Sequence, residues 1–210
     1  MPSKPRGISH ASRALIAGAL LFFLGTPQAQ TPTPPATSTG TPRLAAVCVA
    51  CHGPQGNSTQ PQFPSLAAQP KVFLENQLVL IRDGLRNIPP MKGLLDGVPD
   101  AELTELARYF SAQPATPAPA SAVDAARYTR GQGLAHSMLC GTCHLPSYMG
   151  REQIPRLAGQ HERFLREVMR EYRDNPGPGR DTAMSAALYG LKDEHLDDLA
   201  HFLSHLRPAP

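Results

Sequence analysis

Two stretches decide how this sequence folds: Cys48-Val49-Ala50-Cys51-His52 and Cys140-Gly141-Thr142-Cys143-His144. Both follow the pattern Cys-x-x-Cys-His, and they begin 92 positions apart. Positions i, i+3 and i+4 share one face of a helix, so each stretch brings two thiols and an imidazole together. This order is typical of covalent haem attachment, in which the thiols form thioethers with the vinyl groups and the histidine binds the iron. We therefore expect two haem c groups. Thioethers to the haems would form at Cys48, Cys51, Cys140 and Cys143, and the axial iron ligands would be His52 and His144.

Other uses of paired cysteines fit the pattern less well. A four-cysteine zinc site would have to join pairs separated by 88 residues, each pair followed directly by histidine. A thioredoxin-like redox pair and plain disulfides are the remaining alternatives. No other common site needs this order of residues, so haem attachment is the leading interpretation.

A wider repeat surrounds the two motifs. Pro64–Gln69 (PSLAAQ) matches Pro155–Gln160 (PRLAGQ) at an offset of 91 residues. Shorter matches at offsets of 91 and 93 follow, namely Phe73-Leu74 with Phe164-Leu165, Arg82-Asp83 with Arg173-Asp174, and Leu106–Tyr109 with Leu199–Phe202. We therefore predict an N-terminal domain over 43–111 and a C-terminal domain over 125–208. A Pro/Ala-rich linker over 112–124 separates them.

The periodicity of both copies predicts an all-α fold of two tandem domains. Middle helices are expected over Pro70–Asp83 and His161–Asp174, and short helices should precede each cysteine motif. The last segment of each copy has apolar residues at i, i+3, i+4 and i+7, with Asp100 and Asp193 as expected N-caps. These apolar positions are Leu103, Leu106, Ala107, Phe110, Leu196, Leu199, Ala200 and Leu203. No convincing alternating strand pattern is found.

The N-terminal segment indicates export. Residues 1–30 have basic side chains followed by Ala14–Gly25, an apolar run of 12 residues, which is typical of a secretion signal. A span of the bilayer needs about 20 apolar residues, so we expect no stable membrane insertion unless the signal stays uncleaved as an anchor. Residues 31–42 are rich in Pro and Thr and predict a flexible segment. The expected location is the periplasm.

Charge excludes one class of partner. The 20 basic and 17 acidic residues give a net charge of +3, but Lys4, Arg6 and Arg13 lie in the signal, where no acidic residue occurs. The remainder carries 17 charges of each sign. A nucleic-acid-binding protein needs a basic excess, so we expect no nucleic-acid partner. The second middle helix has a basic face that comprises Arg163, Arg166, Arg170 and Arg173. Such a face usually forms i,i+4 ion pairs within the helix, and docking of a partner is the lesser hypothesis.

The sixth iron ligand decides between electron transfer and catalysis. The first copy offers Met91, 39 residues after His52, and no histidine between Gly53 and Ala135. The repeat selects Met184, which follows His144 by 40 residues. The other candidates in the second copy are Met149, Met169, His161, His195, His201 and His205. Met169 is expected to be a core residue. The pair His201 and His205 is expected to lie on a solvated helix face, and a metal site is the less favoured alternative.

A methionine opposite each histidine closes the coordination sphere of the iron. Thioether ligation favours ferrous iron and leaves no position for a substrate, so the sequence predicts an electron carrier with no catalytic residues. One alternative is the cytochrome subunit of a periplasmic dehydrogenase, which would use the same domains. A second, weaker alternative is a dihaem peroxidase, which needs an open or displaceable sixth site.

These motifs resemble class I cytochromes c and, as a tandem pair, the dihaem cytochrome c4 family, over residues 43–207. The resemblance implies that the carbonyls of Pro64 and Pro155 face the Nδ1–H groups of His52 and His144. It also implies two covalently bound haems with their edges close together. The implied partners are redox proteins, with electrons passing from a quinol-oxidising complex toward a terminal oxidase.

Overall fold

The computed structural model describes residues 41–119 and 121–207, all within one compact unit of the chain. Helices and loops make up this part, and its only β-type pairing is an isolated bridge between Arg151 and Ile154. The all-α prediction is confirmed. The predicted secretion signal and nearly all of the 31–42 segment lie outside the described residues. No helix in the described ranges is both long and apolar enough to cross a bilayer.

The first copy contains three α-helices: α1 (Ala45–His52), α2 (Lys71–Arg82) and α3 (Asp100–Ser111). Two short 3₁₀ turns, Pro54–Gly56 and Pro89–Met91, lie between them. The apolar face predicted for the last helix is buried, and it forms the centre of a small core comprising Ala45, Leu74, Leu106, Ala107 and Phe110. The first cysteine motif is the C-terminal part of α1.

The second copy contains five helices: α4 (Ala125–Ser137), α5 (Cys140–His144), α6 (Glu162–Asp174), α7 (Thr182–Leu188) and α8 (Asp193–His205). Its core is larger and comprises Ala135, Leu165, Met169, Leu188, Leu196, Leu199, Ala200, Phe202 and Leu203. The Phe202 ring stands edge-on to Tyr128 of α4, with ring centroids 5.1 Å apart. The middle and last helices lie where the periodicity predicts them.

The crossing of α4 and α8 depends on Gly131. A Cβ atom added at Gly131 would overlap the backbone of Asp198 and would lie 2.8 Å from the Cβ of Phe202. Only glycine therefore allows the two helix backbones to approach this closely. Two residues further along α4, Gly133 faces open space.

The expected N-caps are placed differently. Asp100 and Asp193 are the first residues of α3 and α8, and neither Pro99 nor Asp100 provides a side-chain cap at α3. Each carboxylate instead binds an arginine at the end of the preceding middle helix, at 2.5 Å for Arg82 and 2.8 Å for Arg173. The same arginines donate to the carbonyls of Val98 and Leu191. Because an ion pair occupies each carboxylate, it ties two helices together and does not cap one.

The basic face of α6 is compensated by acidic residues. Arg163 pairs with Glu167 at 2.7 Å within the helix, as the spacing predicts. Arg170 reaches across to Asp193 of α8 at 3.0 Å. The pair of Arg170 and Asp193 attaches α6 to α8, and both pairs balance positive charge on α6.

The segment between the copies is held against both of them. The backbone N–H of Thr116 donates to Asn57 Oδ1 of the first copy at 2.8 Å. The N–H of Ala118, a buried residue, donates to the carbonyl of Gly159 in the second copy at 2.9 Å. The Pro/Ala-rich segment is therefore held by hydrogen bonds to both copies.

Candidate functional site

Each cysteine motif presents one half-buried and one exposed thiol. Cys48 and Cys140 pack against the cores of their copies, whereas Cys51 and Cys143 are exposed. No disulfide joins any two of the four cysteines, so the disulfide interpretation is wrong for this structure. Burial raises the pKa of the Cys48 and Cys140 thiols, and backbone hydrogen bonds partly oppose this rise.

The two motif histidines are buried and oriented in the same way. His52 and His144 are 8% and 7% exposed. The Nδ1–H of His52 donates to the carbonyl of Pro64 at 2.8 Å, and that of His144 donates to the carbonyl of Pro155 at 2.9 Å. The position of both carbonyls, implied by the family resemblance, is confirmed. Because a carbonyl oxygen can only accept, these bonds place the proton on Nδ1 and leave the lone pair of Nε2 available to a metal.

The protonation state of both rings suits metal binding. Burial lowers the pKa of His52 and of His144, and the hydrogen bonds to the proline carbonyls oppose this only in part. Both imidazoles are therefore neutral at neutral pH, as an iron ligand must be.

The two candidate methionines occupy comparable places in their copies. Met91 ends the 3₁₀ turn Pro89–Met91 and is half-buried. Met184 is half-buried in the first turn of α7, which Asp181 caps by accepting the Met184 N–H at 2.9 Å. Met169 is buried within α6, so its predicted core role is confirmed.

The competing histidines of the second copy are already engaged. The Nε2–H of His161 donates to the carbonyl of Ser58 at 2.9 Å, and the ring is 1% exposed. His195 Nδ1 accepts the N–H of Lys192 at 3.2 Å at the start of α8. His161 and His195 each have one ring nitrogen without a described protein hydrogen bond, so the choice of Met184 depends on its spacing from His144 within the repeat.

The expectation for His201 is wrong, because His201 does not face solvent. It is 1% exposed, its Nε2 accepts the N–H of Asp124 at 3.0 Å, and its Nδ1–H donates to Glu162 at 3.0 Å. Potential ligand atoms of Glu162, His201 and His205 lie within 4.8 Å of one another. Both ring nitrogens of His205 face carbonyl oxygens, so the described contacts make this cluster a hydrogen-bonded joint between helices.

No four-cysteine metal site forms among the described residues, where the one group of metal-ligating side chains contains no cysteine. Two free thiols and a buried, neutral imidazole with an available Nε2 are instead the donor set of covalent haem. The motif residues of both copies fit that group.

Comparison with known proteins decides the family. Residues 128–207 match the family described as "Cytochrome c", and residues 35–110 match "Cytochrome C oxidase, cbb3-type, subunit III". Cytochrome c4 of Pseudomonas aeruginosa is 37% identical over 159 residues, which cover 71% of this chain and 79% of that protein. The chain belongs to the cytochrome c4 family. The crystal structure of reduced recombinant cytochrome c4 from Pseudomonas stutzeri superposes with a TM-score of 0.71 at 30% identity, over 78% of this chain and 95% of that one.

A second group of similar proteins carries a different name. The "Thiosulfate dehydrogenase electron acceptor" of Thiomonas intermedia is 31% identical over 154 residues, covering 69% of this chain and 71% of that protein. A thiosulfate dehydrogenase structure from Marichromatium purpuratum matches 75% of this chain but 36% of its own, with a TM-score of 0.66.

Membership of the cytochrome c4 family establishes the class of function. This chain is an electron-transfer c-type cytochrome that carries covalently bound haem c, and it is not an enzyme. The dihaem peroxidase alternative is therefore wrong. Its partners belong to the class of redox proteins.

Sequence reasoning assigned no role to three buried polar residues between the copies: Gln69, Arg156 and Gln160. Gln69 and Gln160 end the matched segments PSLAAQ and PRLAGQ, and this match is the feature of the sequence that could have indicated them. Arg156 is 1% exposed and donates to the carbonyls of Ala67 and Ala158. Burial lowers the pKa of Arg156 to about 10, since its contacts are carbonyl oxygens and include no carboxylate.

Proposed function

We propose that this cytochrome c4 protein carries electrons in the periplasm within a respiratory chain, from a quinol-oxidising complex toward a terminal oxidase. In this proposal haem 1 is bound to Cys48 and Cys51, and haem 2 to Cys140 and Cys143. His52 with Met91 would hold the iron of haem 1, and His144 with Met184 would hold the iron of haem 2. The two domains span 43–111 and 125–208, joined by 112–124.

One observation carries the ligand assignment. Each copy pairs a buried histidine, held through Nδ1, with a half-buried methionine 39 or 40 residues later. Both ring nitrogens of His201 are hydrogen-bonded, to Asp124 and Glu162. The nearly equal spacing in the two copies therefore favours the thioethers of Met91 and Met184 as the sixth ligands.

The protein residues set the properties of the site. Bound haem c supplies an iron that cycles between the ferrous and ferric states. His52 and His144 hold their Nε2 lone pairs in a fixed direction through Nδ1. Met91 and Met184, as soft ligands, would favour ferrous iron and would leave no iron position open to a substrate.

The optical and near-infrared spectra of the oxidised protein test the assignment. We expect low-spin iron at both sites and a methionine-to-iron charge-transfer band from each. Met91→Ala should remove the contribution of haem 1 and lower its midpoint potential, and Met184→Ala should do the same for haem 2. Met169→Leu is the matched control, because Met169 lies in the core of α6, and both bands should survive it. Unchanged spectra and potentials in either alanine variant would overturn the assignment.

A second function is favoured by the resemblance to the thiosulfate dehydrogenase electron acceptor of Thiomonas intermedia. In this version the same two haems accept electrons from a periplasmic dehydrogenase. Stopped-flow reduction distinguishes the two donors: the oxidised protein is mixed with thiosulfate and a thiosulfate dehydrogenase, or with quinol and a quinol-oxidising complex. Faster reduction by the quinol-oxidising complex supports the respiratory carrier, and faster reduction by the dehydrogenase supports the acceptor.

Export is part of the proposal and has a direct test. The basic and apolar pattern of residues 1–30 supports a cleaved secretion signal. Mass analysis of the mature protein from the periplasmic fraction should show an N-terminus near residue 30. An intact N-terminus recovered with the membranes would favour an uncleaved anchor.

A further inference from the structure

The peptide group between Pro64 and Ser65 has hydrogen bonds on both sides. Its carbonyl accepts the Nδ1–H of His52 at 2.8 Å. Its N–H donates to Oε1 of Gln160 at 2.8 Å. Gln160 belongs to the second copy, so this copy contacts the peptide that orients the histidine of the first.

Gln160 binds this backbone through both ends of its amide. While Oε1 accepts from the N–H of Ser65, Nε2 donates to the Ser65 carbonyl at 3.0 Å. Gln160 and Ser65 are each 1% exposed, so water does not compete for these bonds.

The same arrangement occurs in the opposite direction. The peptide group between Pro155 and Arg156 accepts the Nδ1–H of His144 at 2.9 Å and donates its N–H to Oε1 of Gln69 at 2.9 Å. Gln69 Nε2 donates to the Arg156 carbonyl at 3.0 Å. Each matched glutamine thus binds the loop of the other copy, as in an interface with local twofold symmetry.

Hydrogen bonds in such a chain strengthen one another. A bond to the N–H of a peptide polarises its carbonyl, which then becomes a better acceptor, by roughly 10–30% per bond. A stronger acceptor draws the Nδ1 proton of the histidine and makes Nε2 a more basic metal ligand. A more basic imidazole favours ferric over ferrous iron.

We propose that Gln160 is a positioning residue that lowers the midpoint potential of haem 1, and that Gln69 does the same for haem 2. Each glutamine therefore acts on the haem of the other copy. This proposal rests on His52 and His144 as iron ligands, which belong to the proposed function. It adds that contact between the copies contributes to the midpoint potential of each haem.

The test uses the full-length holoprotein with Gln160→Met, which keeps the length of the side chain and removes both hydrogen bonds. Separate haem methyl signals in an NMR-monitored redox titration report the two potentials. We expect the ferrous-to-ferric ratio of haem 1 at a fixed solution potential to rise by about two- to fourfold, with haem 2 unchanged. Gln69→Met should give the reverse result.

A second readout does not depend on electron transfer. In the reduced protein, the Nδ1–H signal of His52 should move upfield in Gln160→Met, and the Ser65 amide should exchange faster with solvent. The His144 signal should stay in place. If Gln160→Met does not fold, Gln160→Asn keeps the amide but is too short to reach Ser65, and the same changes are expected.

His161→Leu is the matched control, since it removes the bond between copies at Ser58 and leaves both proline peptides untouched. This variant should lower the stability of the protein and leave the midpoint potentials of both haems unchanged. The proposal is overturned if Gln160→Met shifts neither haem, shifts both equally or shifts haem 2 alone. A shift of haem 1 in His161→Leu as large as in Gln160→Met also overturns it. A failed axial assignment would instead appear in the unmodified protein as missing charge-transfer bands.

Discussion

At the scale of single residues, the orientation of two histidines depends on a few backbone groups. The carbonyl that accepts from His144 belongs to Pro155, and its position is defined by the loop that surrounds it. Gly150 lies against this loop with a φ of +70° and donates its N–H to the carbonyl of His144 at 3.0 Å. A side chain at this point would overlap the carbonyl groups of Ile154 and Pro155.

Gly150→Ala should therefore disturb the second site as well as the backbone. Left-handed φ at alanine costs about 1 kcal/mol, and the overlap with Pro155 should bring the total loss of stability to about 2–4 kcal/mol. Chemical denaturation of the holoprotein measures the loss, and the Nδ1–H signal of His144 in the reduced protein reports the local change.

Gly190→Ala provides the matched control. Gly190 has a φ of +78° and open space around it, so the same substitution should cost only the backbone strain, about 1 kcal/mol. Equal losses in the two variants would show that contact with the Pro155 carbonyl does not matter.

At the scale of helices, the second copy is organised by the close crossing of α4 and α8. Gly131 permits this crossing, and the Tyr128 and Phe202 rings pack beside it. The described part of the first copy begins with the much shorter α1, and its core is correspondingly smaller.

Gly131→Ala should separate the two helices. The added methyl group overlaps the Asp198 backbone, and we expect a loss of about 1–3 kcal/mol in unfolding free energy. Gly133→Ala, on the exposed side of the same helix, should be neutral or stabilising by up to about 1 kcal/mol, because alanine is the better helix former. Denaturant unfolding measures both. Similar losses in both variants would contradict the role of the crossing.

The joint around Glu162 predicts a dependence on pH. Burial raises the pKa of Glu162, but hydrogen bonds from His201 and Arg127 outweigh it and hold the pKa below its ordinary value. A carboxyl whose pKa is lowered by folding adds stability above its unfolded pKa. That stability is lost as the pH falls through the folded pKa.

Glu162→Gln should therefore lower the free energy of unfolding by about 1–3 kcal/mol at pH 7. The difference from the unmodified protein should shrink below about pH 4, where the unmodified carboxyl also becomes neutral. Denaturant unfolding across this range measures it. Glu167→Gln removes an exposed i,i+4 pair with Arg163 and should change stability by less than about 0.5 kcal/mol. A difference that grows toward acid would contradict this account of Glu162.

At the scale of the whole molecule, the haems are expected to complete two small cores. Domains of this size are marginal without a covalent staple or cofactor, and the half-buried Cys48 and Cys140 adjoin the core clusters. Replacing all four motif cysteines with alanine should give a largely unfolded product.

Far-UV circular dichroism and thermal melting of this four-alanine variant measure the effect. The unmodified holoprotein, purified in parallel, should retain its helices and melt cooperatively. A helical apo-protein with a sharp thermal transition would show that the polypeptide cores suffice without haem.

Much of the architecture is predictable from local pattern. The apolar periodicity around Leu106 and Leu199 predicts the last helices, and the Cys-x-x-Cys-His motifs predict the cofactor, because both signals depend on spacing within a short stretch. Contacts between distant segments have no such signal. His201 has the i,i+4 spacing of a surface pair, yet Asp124 and Glu162 bury it. Gln69 and Gln160 are visible only as matched letters, since their partners lie 87 and 95 positions away along the chain.

The crossed glutamines have a consequence for the history of the chain. A protein that arose by duplication of one haem-binding unit could in principle be divided again by a break in its gene. Here a separated half would keep its own cysteines, histidine and methionine but would lose the amide that binds the loop beside that histidine. Its Ser65 or Arg156 backbone would then face solvent. Separating the copies would therefore cost the four hydrogen bonds that the two glutamine side chains make to these loops.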